Sequence, residues 1–195
     1  EIDTRDWSSD VCSSDLFGII IAGGFYMKKL IGLLAAAVLC TGLLSGCGSK
    51  DASGASMEMK EGQSVQTVVD QIAEDVGIAM AAPIDDEMLK QLFYIDPSDA
   101  QAYYGQISMA NVSADNVVAI QAAPDKKDAV VEGLNKRLED VQNSFAQYLP
   151  EQYEKAMKGR VVEKGNYVFL LILGQESSTF DQDMEKAVGI IDAAF

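Results

Sequence analysis

The sequence predicts an α+β domain: a mostly antiparallel sheet of two β-hairpins with helices packed on one face, in the order α-α-ββ-α-ββ-α. Three observations lead there. Apolar residues recur at steps of three and four within 65–76, 131–149 and 180–191, as expected of helices with one buried stripe. Two pairs of strand-like runs, 103–109 with 116–123 and 160–163 with 167–173, are each separated by a few turn-forming residues, which joins each pair as a hairpin. The order of these blocks, hairpins set between helices, implies two layers sharing one core.

Taken in order, Ser64 caps the first helix, with Val65, Val68, Val69, Ile72, Ala73 and Val76 on one face and Gly77 as its stop. Ile78 to Ala82 is apolar without a clear period, and Pro83 breaks it. Asp85 caps a short second helix whose Met88, Leu89, Leu92 and Phe93 face inward. Asp96-Pro97 is another cap followed by proline at the first helical position, opening a brief helix to about Ala102. In the first hairpin Asn111, Ser113 and Asp115 supply the turn, their side chains satisfying local backbone amides.

Pro124-Asp125 starts the longest helix, with Val131, Leu134, Leu138, Val141, Phe145 and Leu149 inward. Pro150 interrupts it, Glu151 to Met157 continue it, and Gly159 ends it. Lys164-Gly165-Asn166 turns the second hairpin, and VFLLIL at 168–173 has no polar alternation, which places it centrally in the sheet. Thr179 or Ser178 caps the last helix, with Phe180, Met184, Ala187, Val188 and Ile191 inward.

The N-terminal organisation reads in three steps. Residues 1–26 are a non-native leader: Asp6 to Leu16, DWSSDVCSSDL, follows a common sequencing adapter codon by codon, and Phe17 to Tyr26 translates upstream DNA. Residues 27–46 are a lipoprotein signal peptide. Lys28 and Lys29 give the positive start, and the apolar run Leu30 to Leu44 is shorter than the roughly 20 residues of a spanning helix. Leu44-Ser45-Gly46-Cys47 resembles a lipobox, in which small residues fit the peptidase cleft and the Cys47 thiol takes a diacylglyceryl thioether. Residues 47–63 form the lipidated cysteine and a small, polar, flexible tether, and 64–195 form a single domain.

Composition narrows the chemistry. Cys12 falls in the leader, Cys40 in the signal peptide and Cys47 is lipidated, so the domain is expected to hold no disulfide, thiol nucleophile or cysteine metal site. The chain contains no histidine, which removes the commonest general base and metal ligand. From 15 basic and 30 acidic residues, residues 1–46 take away three and five, leaving −13 from Cys47 onward. Such a charge repels nucleic acid and anionic headgroups. Membrane attachment is therefore expected through the acyl chains on Cys47.

Several blocks together resemble a known family. DDEMLKQLFYIDPSDAQAYYGQISMANVSADNVVAI (85–120), KRLEDVQNSFAQYLPEQYEKAM (136–157) and GRVVEKGNYVFLLI (159–172) are similar to the bacterial lipoprotein family named domain of unknown function 4358. The resemblance runs from about Asp85 to Leu173, and the lipobox and tether fit it. It implies a membrane-anchored, extracytoplasmic domain and supplies no catalytic or ligand residues.

The remaining constellations read mainly as structure. Asp85-Asp86-Glu87 and Asp181, Asp183, Glu185 lack the spacing and glycine of a calcium loop and sit where carboxylates favour helix N-termini. Ser177-Ser178-Thr179 is expected to cap a helix rather than to supply a nucleophile. Tyr103, Tyr104, Tyr148, Tyr153 and Tyr167 are the candidates for a ligand or partner surface, with hairpin and helix packing as the alternative. The function expected is a lipid-anchored, non-enzymatic binding or interaction module on the extracytoplasmic face of the cell membrane, with no cofactor, metal or nucleic acid. Its partner is an envelope protein or a small ligand. The alternatives are a cell-envelope enzyme using carboxylates and a small ligand-binding accessory of a transporter.

Overall fold

The computed structural model describes residues 57–195. The expected leader and signal peptide, Cys47 and the first part of the expected tether lie outside the described residues. Five strands form one sheet in the order β1-β2-β3-β5-β4: β1 (Ala81–Pro83), β2 (Ala100–Ser108), β3 (Asn116–Ala122), β4 (Arg160–Lys164) and β5 (Tyr167–Ile172). Every neighbouring pair is antiparallel. The helices are α1 (Val65–Val76), α2 (Asp86–Leu92), α3 (Lys127–Phe145), α4 (Pro150–Met157) and α5 (Phe180–Ala193), with a 3-10 turn at Pro97–Asp99. The α+β class, the antiparallel sheet and the two hairpins are as the sequence predicts.

The layering differs from the expectation. Helices cover both faces of the sheet, not one. On the first face α2, α3 and α4 pack Leu89, Val130, Leu134, Val141 and Ala156 against Val118, Ile120, Val168, Leu170 and Ile172. On the second, α1 and α5 pack Val68, Val69, Ile72, Met184 and Ile191 against Val117, Ala119, Phe169 and Leu171. Successive strand residues point to opposite faces, so β5, buried at all six positions, requires a helical layer on each side. A residue such as Leu170 or Phe169, fully buried, contributes about 1.5–3 kcal/mol by leaving water.

Local chemistry starts and stops the elements. Ser64 accepts from the Thr67 amide at 3.1 Å while the Thr67 hydroxyl accepts from the Ser64 amide at 2.8 Å, which satisfies two of the helix's orphan donors. Asp85 caps α2 through the Met88 amide at 2.8 Å. The apolar run before Pro83 is the edge strand β1, paired to β2 by Ala81 opposite Ser108; at an edge, proline's missing donor is tolerated. The brief helix after Asp96 is only the 3-10 turn, and β2 begins at Ala100. The other edge, β4, carries Arg160, Glu163 and Lys164, charges that discourage edge-to-edge pairing. Among the described residues, no helix is long and apolar enough to cross a membrane.

The two ends of the sheet are built differently. At the base, β4 turns into β5 at Gly165, whose φ of +57° suits glycine. The last seven residues of the expected free tether dock here. The Lys60 amide donates to the Ala194 carbonyl at 2.8 Å, Lys60 Nζ to that of Ala193 at 2.6 Å, and Glu58 accepts from the Tyr167 hydroxyl at 3.0 Å. At the distal end lie the 77–80 segment, the β2–β3 loop and α4. Asn116 stands opposite both Ile107 and Ile172 there.

Candidate functional site

The distal end holds the most buried charges of the described domain. Lys155 and Asp115 are 4% and 2% exposed, and Lys155 Nζ lies 2.6 Å from Asp115 Oδ1. Asp115 precedes β3 directly, at the end of the β2–β3 loop, and Lys155 sits in the last turn of α4. On α4, Gln152, Lys155 and Ala156 share a face by helical spacing. That face meets the loop: Gln152 Oε1 accepts from the Ala114 amide at 3.0 Å, and Ala156 is fully buried. Lys155 Nζ also lies 5.7 Å from the Phe180 ring centroid, at the start of α5.

The second carboxylate oxygen ties in two further segments. Asp115 Oδ2 accepts from the Ala79 amide at 3.2 Å and from the Ser113 hydroxyl at 2.8 Å. Ser108 Oγ donates to the Ala79 carbonyl at 2.6 Å, and the Met109 amide donates to that of Met80 at 3.1 Å. One carboxylate therefore joins the segment after α1, the β2–β3 loop and α4. Beside it, the buried Asn116 donates to the Ala114 carbonyl at 3.0 Å and accepts from Arg137 Nε at 3.1 Å. Arg137 also lies over the Phe93 ring at 5.3 Å, and burial lowers its pKa from the ordinary arginine value.

Chemically, the arrangement braces rather than activates. Asp115 lies between Ser113 and Lys155, accepting from both. A lysine base for a serine nucleophile must reach the hydroxyl itself, whereas this ammonium is held by the carboxylate. Asp115 thus does more than the local turn residue the sequence predicts: it is buried, and besides Ser113 it holds Ala79 and Lys155, which are far along the chain. Lys155 is the residue sequence reasoning missed. Its one signal was the face it shares with Gln152 and Ala156, opposite the exposed Glu151 and Glu154.

The other candidate groups are not brought together. Asp85 is a cap, and Asp86 accepts from the Tyr103 hydroxyl. Asp181 pairs with Lys158 and Glu185 with Arg160, each at 2.8 Å. Asp183 accepts from the Thr179 hydroxyl at 2.8 Å and the Gln175 amide at 3.2 Å. Thr179 occupies the N-cap position of α5, with its hydroxyl turned to Asp183 and the Glu176 carbonyl. Among the described residues, no group of three or more His, Cys, Asp or Glu side chains is placed to hold a metal ion.

The tyrosines are dispersed. Tyr103 and Tyr104 pack on opposite faces of the sheet. Burial, then the bond to Asp86, pushes the Tyr103 phenol up to about 12. Tyr167 is buried at the base, its ring edge-on to Phe195 at 5.2 Å, and burial with the Glu58 bond raises its pKa. Tyr148 is exposed near the distal end, whereas Tyr153 packs against the core. Two described clefts lie elsewhere, one of about 330 Å³ beside Asp125, Lys127, Asp128 and Asn166, the other of about 240 Å³ beside Tyr94, Glu132 and Lys136.

Fold and site define an antiparallel α+β domain with a helical layer on each face and a buried ion pair bracing one end. The chain belongs to the family described as Domain of unknown function (DUF4358), which matches residues 74–173. That span contains the sheet, α2, α3, α4, Asp115 and Lys155, whereas α5 and most of α1 lie outside it. No curated protein and no solved structure matches the chain.

Proposed function

We propose that the chain is a lipid-anchored bacterial lipoprotein whose domain serves as a non-enzymatic binding or interaction module on the extracytoplasmic face of the membrane. One observation carries this reading: the order of Lys28-Lys29, the apolar run to Leu44, Ser45-Gly46 and Cys47. Each part matches a step of export and lipidation, from the positive start to the small residues before the nucleophilic thiol. Two acyl chains on Cys47 suffice for stable anchoring of a strongly acidic domain, since each buried methylene contributes about 0.8 kcal/mol.

The choice of a module over an enzyme rests on residue types and their engagements. The domain from Ser64 onward contains neither histidine nor cysteine; Asp85 is engaged as a cap, Asp115 and Asp181 in ion pairs, and Asp183 in hydrogen bonds to Thr179 and Gln175. Radiolabelled palmitate incorporation tests the anchor. The full chain expressed in bacteria is expected to take up label in the membrane fraction and to lose it on Cys47→Ala; labelling unchanged by that substitution refutes Cys47 as the anchor site. Crosslinking in cells followed by mass spectrometry tests the module. Capture of bulk wall polymer alone would sink it.

A further inference from the structure

The shielded bases of the domain are matched to carboxylates, with one exception. Lys127, Lys155, Lys158 and Lys164 are buried or half-buried, and each ammonium lies 2.6–2.8 Å from a carboxylate oxygen, on Glu163, Asp115, Asp181 and Asp192 in turn. Arg137 is half-buried as well. Among the described residues it is the shielded base that takes part in no ion pair, in a chain with 30 acidic residues to 15 basic ones.

Its guanidinium is nevertheless held in place. Nε donates to Asn116 Oδ1 at 3.1 Å, and Asn116 is itself buried and tied to the Ala114 carbonyl. The fully buried Phe93 ring lies 5.3 Å away. The neighbouring charges on α3 are drawn to Tyr94: Asp140 accepts from its hydroxyl at 2.5 Å, and Lys136 Nζ sits over its ring at 3.7 Å. Tyr94 does this from a φ of +60°, which residues other than glycine adopt reluctantly. Burial lowers the Arg137 pKa by more than the charge of Asp140 raises it. Among the described residues, Nε alone of its nitrogens makes a hydrogen bond, and no buried side-chain nitrogen or oxygen lacks a partner. The two terminal nitrogens therefore open to solvent.

We propose that Arg137 is a ligand-binding residue of this domain and takes a carboxylate group on its two terminal nitrogens. The inference deepens the reading of the domain as a binding module and rests on it. A guanidinium offers parallel N–H donors that match the two oxygens of a carboxylate. Here Asn116 and Phe93 fix the fork in advance, so binding costs little further ordering. A half-buried charge without an opposite charge in contact is costly, and a bound carboxylate supplies that charge. Electrostatics narrows the class. With Asp140 one turn away and a net charge of −13 from Cys47 onward, a singly charged group is admitted more readily than a phosphate dianion.

Side-chain NMR of the isotope-labelled full chain in mild detergent reads the site, with sodium acetate titrated against sodium chloride at equal ionic strength. The Arg137 Nε–H and the Asn116 side-chain amide are expected to shift and saturate with acetate, and not with chloride or with uncharged acetamide. Arg137→Lys keeps the charge and loses the fork, so it abolishes the Asn116 response; Lys186→Gln on α5 leaves it unchanged. Backbone amide dispersion in the same spectra identifies a variant that fails to fold, and the acetamide comparison needs no variant. N-acetyl-dialanine binding more tightly than acetate supports a peptide end as the source of the carboxylate, and equal binding supports a free acid. An acetate response no larger than that to chloride or acetamide overturns the proposal, as does one that folded Arg137→Lys leaves intact. Either result leaves the crosslinking test of the module standing, so the two readings fail separately.

Discussion

The two ends of the sheet are built on opposite principles. At the base, a peptide strap from Met57 to Gln63 crosses the end of α5 through backbone carbonyls, an exposed lysine and one tyrosine–glutamate bond. At the distal end, a buried carboxylate and ammonium, 2.6 Å apart, tie three segments that are distant in sequence. The Lys60 contacts at the base are exposed, so they replace ones that water would make and contribute little. The distal pair has no water to return to, so each partner depends on the other. Removing one contact should therefore be local at the base and global at the distal end.

The largest effect should come from Asp115→Ala. Leaving Lys155 buried and unpaired is expected to cost about 3–5 kcal/mol, measured as a shift in the urea midpoint at unchanged slope. Replacing both partners, Asp115→Leu with Lys155→Met, should recover most of that loss, because it removes the stranded charge as well as the bond. If the double variant is as unstable as the single one, the pair does not act as a pair.

At the other end, Ser64→Ala removes the capping box of α1 and is expected to cost about 1 kcal/mol. Lys60→Ala should cost less than about 1 kcal/mol, as exposed ionic contacts usually do, and should speed hydrogen exchange of its neighbours in the strap without moving the urea midpoint appreciably. A loss at Lys60 as large as that at Asp115 would erase the contrast between the ends.

Between the two, Tyr103 gives an effect that is read as a pH dependence in alkali. Its folded pKa, raised to about 12, lies above the unfolded value of about 10. The folded state therefore holds the proton more tightly, and its contribution is fully present below pH 10 and lost as pH rises toward 12. Stability of the parent chain should fall across that window more steeply than that of Tyr103→Phe, followed by tyrosinate absorbance and circular dichroism together.

Much of the fold was legible because local chemistry and tertiary packing agree. The Ser64 and Asp85 caps, the stripe of α1, the Lys164–Asn166 turn and the central place of β5 all follow from their own residues. The second helical layer was also encoded: residues 168–173 have apolar side chains on both faces of the strand, and each face needs cover. What blurred it was the separation of α1 and α5 at the two termini of the domain, where nothing local says which face they choose. β1 is only Ala-Ala-Pro, too short and too weak in β propensity to stand out from a loop. The strap was hidden because its bonds are made by backbone and by the far end of the chain.

The distal site was half legible. Ser113 and Asp115 stood out as turn formers, and the turn is there. Nothing near Asp115 in sequence signals that it is buried, since Ala79 and Lys155, which enclose it, lie 36 and 40 residues away. Lys155 looks like any solvated helix lysine until α4 is laid across the end of the sheet.

Native-state hydrogen exchange tests most directly the claim that the distal end is a braced surface and the base a local strap. The amides of Ala79, Met109 and Ala114 should be protected together in the parent chain and lose protection together in Asp115→Asn, with the Lys60 amide unaffected. Distal amides that exchange at unfolded-chain rates in the parent, or that Asp115→Asn leaves as slow as before, would contradict the account.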